Sequence, residues 1–237
     1  MQMSVLTNFY LKAKTTATIS LMALAFVTAP CAFAEGLGFD KTRLVISEGQ
    51  TGGSVVLDNR TNKGYIVRAH LEDSEHVKTD SGVVRPPLFQ VKPQQAGRIR
   101  VVVDPKKVAT DRETMFWLYT KSYPAKSPEE VKQQLNFNFV IQMKVFYRPN
   151  GLKGTLLNAA EKLQWRYDKG QLFVKNDSPF NISLAGFLID DKPIDTNIVI
   201  KPYSEINSGV ILKAKLNKLT WFIIDDLGEV KQFSSTM

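Results

Sequence analysis

The chain has 237 residues, 43% hydrophobic and 23% charged, enough for one large domain or two ordinary ones. That composition excludes a disordered chain, a collagen and a polytopic membrane protein. One cysteine and two histidines supply neither a disulfide framework nor a Cys/His zinc site, and 31 basic against 23 acidic residues give a net charge of +8.

Residues 1–34 read as a cleaved secretory signal, with cleavage after Ala34. Lys12 and Lys14 form its positive region, Ile19 to Thr28 its apolar stretch, and Ala32-Phe33-Ala34 its cleavage signature. The apolar run is shorter than the roughly 20 residues that span a bilayer. Cys31 leaves with the signal, and Pro30 before it argues against a lipoprotein. The remainder keeps a charge of +6, dispersed over separate groups such as Lys106-Lys107, Lys213, Lys215 and Lys218. Dispersal and export argue for a soluble charged surface and against nucleic acid.

Beyond the signal, short alternating runs predict strands over 54–57, 65–71, 98–103, 115–119, 135–147, 171–174, 182–187 and 219–224. Turn residues punctuate them: Asp58-Asn59, Asn62-Lys63-Gly64, Asp104-Pro105, Asn150-Gly151, Asp168-Lys169-Gly170 and Asp177-Ser178-Pro179. Helical periodicity is scarce, and 127–134 reads as a polar loop. The pattern is that of all-β sandwiches. A boundary at Arg148-Pro149-Asn150-Gly151 divides the chain into domains over 35–149 and 150–237, with no internal repeat.

The run 135–147 is unusual. Its odd positions are Leu135, Phe137, Phe139, Ile141, Met143, Val145 and Tyr147, all apolar, while Asn136, Asn138, Gln142 and Lys144 are polar. Thirteen residues of period-two pattern would span about 43 Å, against about 5–6 residues for an ordinary strand. Two readings stand on pattern alone. Leu135, Phe137 and Phe139 extend past the domain core and pair with another chain, or the strand is buried along its whole length as in a large barrel.

Enzyme signatures are missing: there is no G-x-S-x-G, H-E-x-x-H or G-x-x-x-x-G-K-[ST]. His70 sits in an alternating strand, and His76 follows in an acidic turn with Glu72, Asp73 and Glu75. Both read as surface histidines. Asp190-Asp191 and Asp225-Asp226 are adjacent carboxylates that a strand would point to opposite faces. Asn181-Ile182-Ser183 formally matches a glycosylation pattern. No catalytic residue, metal site or cofactor is expected.

Seven segments share one order with a known family: Thr42-Arg43, 54–59, Pro86-Pro87-Leu88-Phe89 with Pro93, 111–118, 144–149, 176–180 and Asp225-Asp226-Leu227-Gly228. In them the chain resembles the periplasmic chaperones that assemble pili and fimbriae by the chaperone–usher route. The D-R-E-[ST]-x-F-[WY] and K-x-[FY]-Y-R-P runs are the most specific. The resemblance implies two immunoglobulin-like sandwiches in an L or boomerang. It implies that Leu135, Phe137 and Phe139 are donor-strand residues lent to a pilus subunit that lacks its last strand. It assigns Arg43 and Lys144 to the anchor for the subunit's C-terminal carboxylate, a role suited to a guanidinium and an ammonium. Glu113, Arg148 and Asp226 fall where the family has a salt-bridge cluster between domains.

The implied partners are pilus subunits, an outer-membrane usher and, when free, a second copy capping the open strand. Nucleic acid and small-molecule substrates are not expected. The eight residues between the signal and Arg43, and the absence of further cysteine, fit the family's short-loop type, with Pro124 opening the loop before the donor strand. Aromatic Phe137 and Phe139 are bulkier than the usual aliphatic donors. The rival expectation is a secreted immunoglobulin-like adhesin or structural pilus component, which has no use for a carboxylate anchor.

Overall fold

The computed structural model describes residues 36–125, 137–211 and 216–236. The signal segment 1–34, the loop expected over 127–134 and the donor position Leu135 lie outside the described residues. The first half contains β1 (Leu37–Phe39), β2 (Arg43–Ser47), β3 (Gly53–Asn59), β4 (Tyr65–Glu72), β5 (Gly82–Arg85), β6 (Leu88–Val91), β7 (Ala96–Val103), β8 (Thr114–Pro124) and β9 (Phe139–Arg148). They form sheets of order β1-β3-β7-β5 and β2-β9-β8-β4-β6.

Alternation sets the core. On β4, Tyr65, Val67, Ala69 and Leu71 point inward, and Ile66, Arg68 and His70 point outward. Val55, Leu57 and Ile99 of one sheet meet Val67, Leu118 and Val145 of the other in a single apolar cluster. Each such side chain contributes about 1.5–3 kcal/mol by burial. A two-layer sandwich follows, because each sheet has one apolar face to cover.

The second half contains a short helix α1 (Leu156–Glu161), then β10 (Gln164–Asp168), β11 (Gln171–Asn176), β12 (Ile182–Ile189), β13 (Lys192–Ile200), β14 (Ser204–Ile211), β15 (Lys218–Ile224) and β16 (Val230–Thr236). The sheets are β10-β11-β14 and β13-β12-β15-β16. Leu172 and Val174 of one sheet pack with Leu184, Trp221 and Ile223 of the other in a second cluster. The architecture is thus two immunoglobulin-like sandwiches, each with its own core. Lys169 and Gly170 have φ of 47° and 81°, the pair of positive values that a two-residue hairpin between β10 and β11 requires.

Two local features depart from the sequence reading. Helix α1 is an addition. Thr155 caps it by accepting the Asn158 N–H, and the Trp221 indole N–H donates to the Ala160 carbonyl at its end. Asp58-Asn59 is no turn but the end of β3, with Asn59 buried. Its amide oxygen accepts from Thr61, and its amide nitrogen donates to the Lys63 and Lys92 carbonyls. A polar residue at a strand end thus ties down the next turn from inside the core.

Strand β9 begins at Phe139, later than the alternation over 135–147 suggests. Met143, Val145 and Tyr147 are buried, while Phe139 and Ile141 pack part-buried against the same core. Phe139 meets the Tyr65 ring edge-on, with centroids 5.6 Å apart. Phe137 lies outside the strand and is 63% exposed.

Candidate functional site

The pairing of β9 is asymmetric. On one side it pairs antiparallel with β8 over its full length, from Phe139 opposite Ser122 to Tyr147 opposite Thr114. On the other side β2 pairs with it in parallel, but only from Lys144 to Arg148. Among the described residues, Phe139 to Met143 therefore have an open edge, with backbone groups free to accept another strand. That edge continues into exposed Phe137.

Where β2 meets β9, Arg43 stands directly beside Lys144 in register. Arg43 is buried, and one Nη donates to the Ile224 carbonyl of the second sandwich at 2.7 Å. Its Nε is buried with no hydrogen-bond partner among the described residues. The guanidinium lies 5.7 Å from the Phe146 ring centroid. The Lys144 ammonium donates to Asn197 Oδ1 at 3.3 Å, also on the second sandwich, and lies 5.6 Å from the Trp117 ring centroid. Neither cation has an ion-pair partner among the described residues. Burial pulls the Arg43 pKa down, with Asp226, Asp225 and Glu113 acting against it. Burial and then the charge of Arg43 pull the Lys144 pKa down. Two adjacent, partly desolvated cations with spare donors suit a carboxylate.

A second group lies a short distance along the same strands. Arg148 Nε donates to Glu113 Oε1 at 2.6 Å, and its two Nη atoms donate to the Asp226 carboxylate at 2.7 and 2.8 Å. The Glu113 side chain is only 1% exposed, and its other oxygen accepts the Asn181 backbone N–H at 2.8 Å. Phe180 lies beneath the Arg148 guanidinium, 5.2 Å away. Glu113, Arg148 and Asp226 are thus joined in one network that links the two sandwiches. The Asp226 loop is pinned by Asp225, which accepts the Leu227 and Glu229 N–H groups. Gly228 is required in that loop: its φ is +88°, and a Cβ there would strike the Thr42 hydroxyl beside Arg43.

Sequence reasoning missed several neighbours of these groups. Asn181 matters through its backbone and side chain, not as a glycosylation pattern. Asn197 and the Ile224 carbonyl reach the anchor cations from more than 50 residues away, and a backbone carbonyl leaves no sequence signal. His70 and His76, read as unrelated surface residues, both face Glu72: His70 Nε2 is 2.9 Å from Oε1 and His76 Nδ1 is 3.6 Å from Oε2. Among the described residues, no group of three or more His, Cys, Asp or Glu is arranged to hold a metal ion.

Comparison with known proteins gives a consistent result. Residues 36–153 match the family described as "Pili and flagellar-assembly chaperone, PapD N-terminal domain", and residues 158–235 match "Pili assembly chaperone PapD, C-terminal domain". The chaperone protein LpfB of Salmonella typhimurium is 29% identical, over 89% of this chain and 93% of that protein. The probable fimbrial chaperone LpfB of Escherichia coli O157:H7 is 27% identical, over 87% and 90%. The crystal structure of the E. coli chaperone DraB superposes with a TM-score of 0.74 at 26% identity, covering 86% of this chain and 97% of that one. The Salmonella enterica SafB chaperone, solved in complex with the SafA pilin, shares the fold with a TM-score of 0.77 at 24% identity, covering 87% and 99%.

Proposed function

The chain belongs to the PapD-like family of fimbrial chaperones of the chaperone–usher pathway, and from that membership we propose how it works. It acts in the periplasm after loss of residues 1–34, as two domains over 35–149 and 150–237. It binds pilus subunits by lending them β9 and the residues before it, with Leu135, Phe137 and Phe139 filling the groove left by a missing strand. Arg43 and Lys144 hold the subunit's C-terminal carboxylate, and the Glu113–Arg148–Asp226 network fixes the angle between domains. The subunit is then passed to an outer-membrane usher, and a second copy of the chain covers the open strand when no subunit is present. The work is binding, without cofactor or turnover.

One observation carries this reading: among the described residues, the open edge of β9 ends at a pair of cations that have no carboxylate partner. Backbone pairing along the edge supplies affinity, and the cations fix the register by capturing a chain end. An adhesin has no need of the second part.

The test is capture from the native periplasm by tagged chain, with bound proteins identified by mass spectrometry. Wild type is expected to retain a small β-rich secreted protein. Arg43→Ala and Lys144→Met are expected to reduce its recovery at least about tenfold, in line with losing a charge-assisted pair. Thermal melts of each variant separate lost binding from lost folding. Recovery unchanged in both variants would remove the anchor.

A further inference from the structure

Three arginines that are scattered in the sequence stand together on the outer face of the first sandwich. Val55, Val84, Ile99 and Val101 point into the core, so the alternate residues of β3, β5 and β7 face outward. Arg85 of β5 is directly opposite Arg100 of β7, and Arg98 lies two residues away along β7 on the same face. On the other side Ser54 of β3 is opposite Arg100, and the Lys41 ammonium donates to the Ser54 carbonyl at 3.3 Å. Val56, Val83 and Val102 lie among the cations, Val83 being 47% exposed. The outward side chains of β3, β5 and β7 include no aromatic ring.

This arrangement works against the fold. Like charges directly opposite on neighbouring strands repel, with Cβ atoms about 5 Å apart. Elsewhere Arg112, Arg148 and Arg166 each hold a carboxylate. Arg85 and Arg98 have no hydrogen-bond or ion-pair partner among the described residues, and Arg100 donates only to the Thr51 hydroxyl. The Arg100 guanidinium is nevertheless seated. Gly52, at a φ of 133°, leaves room for its Nε, which lies 3.3 Å from where a Cβ would stand. The acids near this face, Asp40 and Asp58, lie at its β1 border, and both are engaged. Asp40 is 4.0 Å from Lys41 and accepts the Val56 N–H, and Asp58 is 4.0 Å from Arg60.

We infer that this face docks on an anionic, phosphate-bearing lipid bilayer through Arg85, Arg98 and Arg100. A guanidinium fork matches phosphate oxygens two at a time, which an ammonium cannot do. A sheet face that presents three such forks side by side fits a surface array of phosphates, and the phosphates neutralise the repulsion between Arg85 and Arg100. A protein partner would call for aromatic or large aliphatic anchors at the centre of the patch, where this face has arginine and valine. Secretion, as read from residues 1–34, takes the chain past a bilayer. The outer face of this sheet points away from the other sheet, which holds β9. A bilayer lying against it therefore leaves the open strand edge uncovered, and docking is independent of Arg43 and Lys144.

The test is flotation of the full mature chain with phosphatidylcholine vesicles containing about 30 mol% phosphatidylglycerol, beside vesicles of phosphatidylcholine alone. Wild type is expected to float with the anionic vesicles only, and to be released as salt rises from about 0.05 to about 0.5 M. Arg85→Gln, Arg98→Gln and Arg100→Gln should each weaken binding about fivefold, and together about a hundredfold, the scale of one surface cation per substitution. A second triple variant, Arg68→Gln with Lys153→Gln and Lys162→Gln, loses the same charge at exposed positions away from this face. It should bind within about twofold of wild type, since those charges stand beyond the screening length from the lipid. Thermal melts should find all variants folded, with Arg85→Gln no less stable than wild type because a like-charge contact is gone. Failure of wild type to float, or equal flotation with both kinds of vesicle, would overturn the inference. So would equal losses in the two triple variants, which would mean attraction by net charge alone. Retention on immobilised polyglutamate without flotation would also overturn it and assign the face to an acidic protein.

Discussion

Arg148→Met is expected to destabilise the protein by about 3–5 kcal/mol, and by more at pH 7.5 than at pH 4.5. The substitution keeps the aliphatic volume that packs over Phe180 and removes three charge-assisted hydrogen bonds. Asp226 is part-exposed and can turn to water, but Glu113 cannot, because its side chain is almost fully enclosed. Without Arg148 it keeps only the Asn181 N–H on its charged oxygens, and a buried unpaired carboxylate is costly.

Burial already lifts the Glu113 pKa above the ordinary glutamate range, although Arg148 and the Asn181 N–H pull it down. An acid whose folded pKa is raised binds its proton more tightly when folded. Stability then falls as pH rises from the unfolded value, about 4.3, through the folded one. Removing Arg148 lifts the folded value further, so the charged form is penalised over a wider range. Urea unfolding at the two pH values, followed by tryptophan fluorescence, measures this directly. The gap between wild type and variant should narrow on acidification. Adding Glu113→Gln to Arg148→Met should restore part of the loss at pH 7.5, because no buried charge remains. A loss below about 1 kcal/mol, or one independent of pH, would mean that water reaches Glu113.

The sequence shows half-buried strands clearly because a sandwich core imposes period two on each of them, as in β3, β4 and β8. The alternation over 135–147 is equally clear, yet pattern alone cannot say where pairing starts. That depends on Tyr65 meeting Phe139, a contact 74 residues apart in the chain. Helix α1 was legible in principle: Thr155 followed by Leu-Leu-Asn-Ala-Ala-Glu is a capped run of good helix formers, but six residues carry too little periodicity to compete with a strand-rich context. Arg43, Lys144, Glu113, Arg148 and Asp226 stood out only through family resemblance, since single charged residues on strands carry no pattern of their own. The His70–Glu72–His76 group was illegible because a positive-φ residue closes the turn and folds the ring back onto the sheet. Asn59 was misread for a physical reason: asparagine favours turns when it is exposed, and here it organises a turn from inside the core.

The same device occurs in the second sandwich, and it supports the other large prediction. Asn176 ends β11 as Asn59 ends β3, and each is followed two residues later by a hydroxyl, Ser178 or Thr61. The Asn176 oxygen accepts the Ser178 N–H and hydroxyl at 3.0 and 2.6 Å. Its amide nitrogen donates to the carbonyls of Phe180, Lys201 and Ile200 at 2.7, 3.1 and 3.2 Å. One enclosed side chain thus joins the end of β11, the next turn and the end of β13. Asn176→Asp changes no volume, but it replaces the donor by an oxygen facing three carbonyl oxygens. We expect a loss of about 3–5 kcal/mol at pH 7.5, from unpaired buried carbonyls and a buried charge. The loss should shrink below about pH 5, where a protonated aspartic acid can donate one hydrogen bond. Asn59→Asp should behave alike, since its amide also faces carbonyls. The two corners belong to different cores, so a doubly substituted chain should show the sum of the single losses. Urea unfolding of the three variants tests all of this. A loss under about 1 kcal/mol in either single variant would show that the corner opens to water. A double variant well short of the sum would show that the two sandwiches are energetically coupled, and the Arg148 network is one of the contacts through which such coupling would pass.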